Sequence, residues 1–152
     1  MKLLALGLFF GLLISTVASP SKERIAQWRS VSFVVELPAP YGDSRVSITR
    51  DGTERYSRIK SITLSLKGKD IVIPTSLYSD LPNPQINTAH VTSEIGGPGG
   101  DGVYLNLMFG DKALAGKGEY PLAQIILSDG KVNGRSIRKQ TSLTSWSYDD
   151  RP

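Results

Sequence analysis

The chain has 152 residues, 39% of them hydrophobic and 21% charged, with 18 Lys and Arg against 14 Asp and Glu, a formal net charge of +4, and no cysteine. The lack of cysteine excludes disulfides, thiolate metal sites and a lipid-modified cysteine. With His90 as the single histidine, a zinc ligand set within one chain is not expected either.

The chain opens MKLLALGLFFGLLISTVASPSK, with Lys2 ahead of an apolar run from Leu3 to Ile14 and small residues from Ser15 to Ser19. This order is that of a secretory signal peptide. The apolar run is shorter than the roughly 20 residues a membrane-spanning helix needs. Thr16 and Ala18 fit the small-residue rule for a cut after Ala18, whereas a cut after Ser19 would set Pro20 beside the scissile bond. Residues 1–18 are therefore read as a leader and residues 19–152 as a single β domain with a short polar tail, exported to a periplasm or secreted. No integral membrane span is expected after cleavage, and the lack of cysteine favours a bacterial source. The 134 remaining residues are enough to bury a core without staples.

Period-two alternation dominates the rest of the chain. In SVSFVVEL, Val31, Phe33, Val35 and Leu37 share one face of a strand. PAPYGD then breaks it, because Pro38 and Pro40 cannot donate to a sheet ladder. SRVSITR predicts a second strand with Val46 and Ile48 inward and Arg45, Ser47 and Thr49 outward. IKSITLSLKGKDIVIP predicts a hairpin, with Ile62, Leu64 and Leu66 alternating with Ser61, Thr63 and Ser65 up to Lys67-Gly68-Lys69, after which Ile71 and Ile73 resume. PTSLYSDLPNP predicts one helical turn over residues 75–81 with Thr75 as N-cap, ended by Pro82 and Pro84. Further strands are expected near residues 86–95, 103–109 and 122–127, the last turning at Asp129-Gly130 into residues 131–138. The fold expected is all-β: one antiparallel β-sandwich or small barrel of about seven to nine short strands.

The stretch EIGGPGGDGVYLNLMFGD carries G-x-G-x-x-G at Gly97, Gly99 and Gly102. Phosphate binding by that spacing needs a strand before it and a helix N-terminus after it. Here an alternating strand follows, and Pro98 removes one N–H donor. The stretch is read as a mobile hairpin loop over residues 96–102, free to order on a partner.

Catalytic signatures are sparse. His90 lies on a predicted strand, and no G-x-S-x-G elbow presents a serine to it. Asp80, Asp101, Asp111 and Glu119 are the loop carboxylates from which a glycan hydrolase could draw a pair, yet each is accounted for more simply by a turn. The D-x-[DN]-x-[DN]-G spacing of a calcium loop is absent. Trp28 and Trp146 are read as lids on the ends of a core.

The expectation is an exported, non-enzymatic binding module, in its sharpest form an inhibitor or immunity protein against a secreted enzyme or toxin. Its contact surface is placed on Gly97, Gly99, Gly100, Asp101 and Tyr104, with Tyr78 and the segment up to Pro84 beside them. A basic-strand variant would bind an acidic polymer through Arg45, Arg50, Arg55, Arg58 and Lys60. The expected partner is a protein or an acidic polymer, ahead of nucleic acid, and no cofactor is expected. A structural or assembly subunit and a carboxylate-dependent glycan hydrolase are the alternatives.

Overall fold

The computed structural model describes residues 16–17, 24–53, 56–97, 100–110 and 120–140. Among them are two antiparallel sheets and a single 3-10 turn at Thr75–Leu77. One sheet orders β1 (Thr16–Val17), β7 (Gln85–Gly97), β8 (Gly100–Met108), β9 (Tyr120–Ser128) and β10 (Lys131–Gln140). The other orders β2 (Ile25–Gln27), β3 (Ser30–Leu37), β4 (Gly42–Gly52), β5 (Ser57–Leu66) and β6 (Lys69–Val72). The outermost strands β1 and β2 are only two and three residues long. They are also the two strands absent from the sequence expectation, and β1 lies inside the residues read as a leader.

The inward residues of both sheets form one core. Val31, Phe33, Val46, Ile48, Ile62 and Leu64 from one sheet and Val91, Val103, Leu105, Leu107, Ile125 and Leu127 from the other are all buried in it. Alternation is the cause: successive side chains of a strand point to opposite faces, so every second apolar residue meets the facing sheet. The two expected hairpin turns are present. Lys67 and Gly68 have φ of 52° and 72°, and Asp129 and Gly130 have 50° and 69°, the left-handed pair that a two-residue primed turn requires.

One irregularity has consequences for the site. Thr49 pairs with Ser61 but Arg50 pairs with Ile59, so Lys60 is an extra, unpaired residue in β5. The bulge keeps both Ile59 and Ile62 buried, and it sets Arg50 opposite an inward residue. Arg50 continues the inward series of Val46 and Ile48 in β4 and so turns toward the end of the core, not to the solvent face where the basic-strand expectation puts it.

Residues 75–81 turn the large side chains at 78 and 81 inward and leave Thr75, Ser76, Ser79 and Asp80 exposed. The 3-10 turn has Pro74, not Thr75, at its N-cap position, with no side-chain cap. Tyr78 and Leu81 fold back into the core, leaving Tyr78 3% exposed with its hydroxyl donating to the Lys60 carbonyl at 3.5 Å. Burial of its ring removes Tyr78 from the candidate contact residues. The expected glycine loop is also shorter than read, since Gly97 pairs with Gly100 at the tip of the β7–β8 hairpin.

The outer face of the β7–β10 sheet carries a polar row across four strands. Asn106 Nδ2 donates to Thr92 Oγ1 at 3.1 Å, Gln124 Nε2 to Asn106 Oδ1 at 3.0 Å, and Ser136 Oγ to Gln124 Oε1 at 3.4 Å. Asn106 is 3% exposed, so these amides are buried polar groups that satisfy one another. No helix among the described residues is long and apolar enough to cross a membrane.

Candidate ligand groove at the β4–β5 end

The turns fall into two groups. Tyr41, after β3, feels the charges of Asp101 and Asp129, which places the β3–β4 connection with the tips of β7–β8 and β9–β10. The β4–β5 tip lies at the opposite end, where Arg50 Nη1 reaches the Pro84 carbonyl at 3.4 Å.

Two arginines tie that tip to the segment before β7. Arg50 donates through Nε to the Trp28 carbonyl and through Nη1 to Ser57 Oγ at 3.4 Å. Its guanidinium carbon stands 5.3 Å from the centroid of the Trp28 ring, and that of Arg29 stands 4.6 Å from it. A guanidinium over an indole face is attracted by the ring quadrupole, so the Trp28 ring is held by two cations. Arg58 lies across from Asp51 and donates from Nη1 to the Ser79 carbonyl at 2.9 Å. An arginine fork suits such carbonyl clamping because its five N–H groups are set in one plane.

The tip is closed by Thr53 and Tyr56, whose N–H groups and carbonyls bond reciprocally at 3.2 Å. Gly52 makes the turn into it with φ of 95°, and its N–H donates to Asp51 Oδ1 at 2.9 Å. A Cβ at Gly52 would lie 2.3 Å from the Tyr56 carbonyl oxygen, so only glycine fits. Between this tip and Pro82-Asn83 lies an open groove of about 540 Å³. Its walls offer the Asp51 carboxylate, the Arg58 guanidinium, the Asn83 side chain and the ring of Tyr56, which is 70% exposed. The set can accept and donate hydrogen bonds and stack a planar group. Nearby, Arg135 forks onto Asp80 at 2.5 and 2.9 Å and also donates to the Leu77 carbonyl at 2.9 Å. The hydrogen bond from Arg135 holds the Asp80 carboxyl below its ordinary pKa.

The structure therefore brings together Arg50, Arg58 and the 79–84 segment, which the sequence treats as separate candidates. Arg45, on the exposed face near the start of β4 and paired with Ser65, is not part of that group. Arg55, Gly99, Asp111, Glu119 and Trp146 lie outside the described residues. The glycine hairpin stands at the far end. There Asp101 Oδ1 accepts the Gly96 N–H at 2.9 Å, and Tyr104 donates to Glu94 Oε2 at 3.0 Å. The Tyr104 ring lies over Gly102, where a Cβ would come within 2.9 Å of its hydroxyl. Burial, with the Glu94 hydrogen bond behind it, pushes the Tyr104 phenol above its ordinary pKa. That ring is laid along its own sheet and not held out from it.

His90 sits on the same outer face, with Nδ1 3.0 Å from the Thr88 carbonyl. Burial, aided by the charge of Arg24 and opposed by the Thr88 contact, lowers its pKa. No group of three or more metal-ligating side chains exists among the described residues.

Asp51 and Tyr56 are the groove residues that sequence reasoning missed, while Asn83 lies inside the expected contact segment up to Pro84. The signal for them was the Asp51-Gly52 turn together with Pro82-Asn83-Pro84, punctuation that marks loops but not that two loops meet. Comparison of the chain with family models, curated proteins and solved structures finds no match.

Proposed function

We propose that this chain is an exported β-sandwich binding module that engages a protein partner through the groove at the β4–β5 end. Export is supported by the Lys2, apolar and small-residue order of residues 1–19. The observation that carries the binding reading is the groove itself, where Tyr56 stands 70% exposed beside Arg58 on a wall pinned by arginine-to-carbonyl bonds. Tyrosine and arginine are the residues that most often dominate protein interfaces, and loops on a rigid β scaffold are where such contacts concentrate. Arg58 and Asp51 on one wall recognise a partner segment carrying both charge signs.

An acidic polymer fits less well, because Arg45 stands apart and Arg50 is committed to Trp28, Ser57 and Pro84. The test is capture from envelope and secreted extracts on immobilised protein beginning at Ser19, run beside a Tyr56→Ala/Arg58→Ala double variant. A stoichiometric protein held by the wild type and lost from the double variant at about 150 mM salt supports the proposal. Equal retention by both refutes the site, and retention of acidic polymer alone, released by salt, refutes the protein partner.

A further inference from the structure

Three features on one stretch of β7 have no role in the groove. Ser93 is buried with its hydroxyl unpartnered. Ile95 is 43% exposed. Among the described residues, the side of β7 away from β8 is covered near these residues only by β1, through the pairs Thr16 with Ser93 and Val17 with Thr92.

The same side of β7 is closed further along by a different device. Arg24 donates to the carbonyls of Asn87 and Ala89, alternate residues on the outer side of the strand, and residues 91, 93 and 95 continue that series. A cut after Ala18 removes β1 and leaves no described residue paired with the backbone groups of Val91, Ser93 and Ile95 on the strand edge. Free strand edges pair with further strands unless something blocks them. Glu94, the one charge on this stretch, is drawn over β8 by the Tyr104 hydroxyl and does not guard the edge.

We infer that, once the leader is removed, this edge pairs antiparallel with the same edge of a second copy about a two-fold axis at Ser93, joining the two β7 strands into one continuous sheet. The identity of the occupant follows from side-chain complementarity. With Ser93 at the axis, it faces Ser93 of the second copy, and directly opposite residues have Cβ atoms roughly 4.5–5.5 Å apart. Each buried hydroxyl then has the other as its partner. Val91 comes opposite Ile95 of the second copy, which covers the exposed apolar side chain, and Thr92 comes opposite Glu94, so no like charges meet. The backbone closes three hydrogen-bonded pairs, 91 with 95, 93 with 93 and 95 with 91, as an isologous two-fold contact requires.

The inference rests on leader cleavage as proposed above, and the experiment separates the two. The full chain is expressed with export, the N-terminus of the product is read by mass spectrometry, and its mass in solution is followed by sedimentation from low to high micromolar concentration. A product starting at Ser19 that doubles in mass, with the amides of residues 91, 93 and 95 gaining exchange protection as concentration rises, supports the inference. Ile95→Lys, a change at an already exposed position, is then expected to raise the dimer dissociation constant at least tenfold while leaving the monomer's melting temperature unchanged. A Ser19 product that stays monomeric, or a dimer indifferent to Ile95→Lys, overturns it. A product that keeps residues 16–17 instead overturns leader cleavage; chain 19–152, which lacks only the two-residue β1 of the described fold, is then made directly and judged by the same results.

Discussion

Gly52→Ala tests whether the groove wall has the conformation described. Gly52 has φ of 95°, a region where an L side chain costs about 1–2 kcal/mol. A Cβ there would also lie 2.3 Å from the Tyr56 carbonyl oxygen, more than about 1 Å inside ordinary van der Waals separation. Relief requires the tip to move, and forced displacements of packed structure cost about 1–3 kcal/mol. The expected loss is about 2–5 kcal/mol. Gly42→Ala supplies the control, because Gly42 has φ of 64° with nothing within 4 Å of its Cβ position, so it loses only the conformational part. Urea melting of both variants isolates the clash as the difference, expected at about 1–3 kcal/mol, with a melting-temperature gap of roughly 3–5 °C per kcal/mol. If Gly52→Ala proves no more destabilising than Gly42→Ala, the tip does not fold as described and the groove loses its wall.

Three further outcomes follow from named contacts. Asn106→Ala is expected to cost about 2–4 kcal/mol in chemical denaturation, since it strands the Gln124 amide in a buried row; a loss under about 0.5 kcal/mol would mean the row is hydrated. His90 has a folded pKa below its ordinary value, so the unfolded chain binds the proton more readily; stability is full above the ordinary histidine range and falls as pH drops through about 6.5. His90→Gln should flatten that limb of a stability-against-pH curve, and an unchanged slope would show that another group causes it. Asp80, with its pKa lowered by Arg135, contributes stability above the ordinary carboxylate range that is lost as pH falls through its lowered value. Arg135→Ala should melt at a lower temperature than Asp80→Asn, because only the former also frees the Leu77 carbonyl; the reverse order would contradict the geometry.

The sheet architecture was legible wherever a local pattern specifies it. Val31, Phe33, Val35 and Leu37 are buried at the spacing that the sequence shows, and the Lys67-Gly68 and Asp129-Gly130 turns follow from residues that tolerate left-handed backbone. The groove was not legible, because it is a meeting of segments some 30 residues apart. Arg50 illustrates the difficulty: alternation with Val46 and Ile48 turns it inward, but nothing local shows that its guanidinium meets Trp28 and Pro84. Tyr78 misled for a related reason, since polar neighbours such as Ser79 and Asp80 mark its segment as surface, while a 3-10 turn rotates the ring into the core. The glycine hairpin reads as loose by composition, yet Asp101 clamps Gly96 and the ladder extends to Gly97 and Gly100.

The central claim is that a protein partner seats at the β4–β5 end. Amide hydrogen exchange of the mature protein, with and without the captured partner, tests it most directly. The expected result is new protection concentrated at residues 51–53, 56–58 and 83, with the amides of residues 100–104 at the opposite end unchanged. Protection at the glycine hairpin with none around Tyr56 and Asn83 would contradict it.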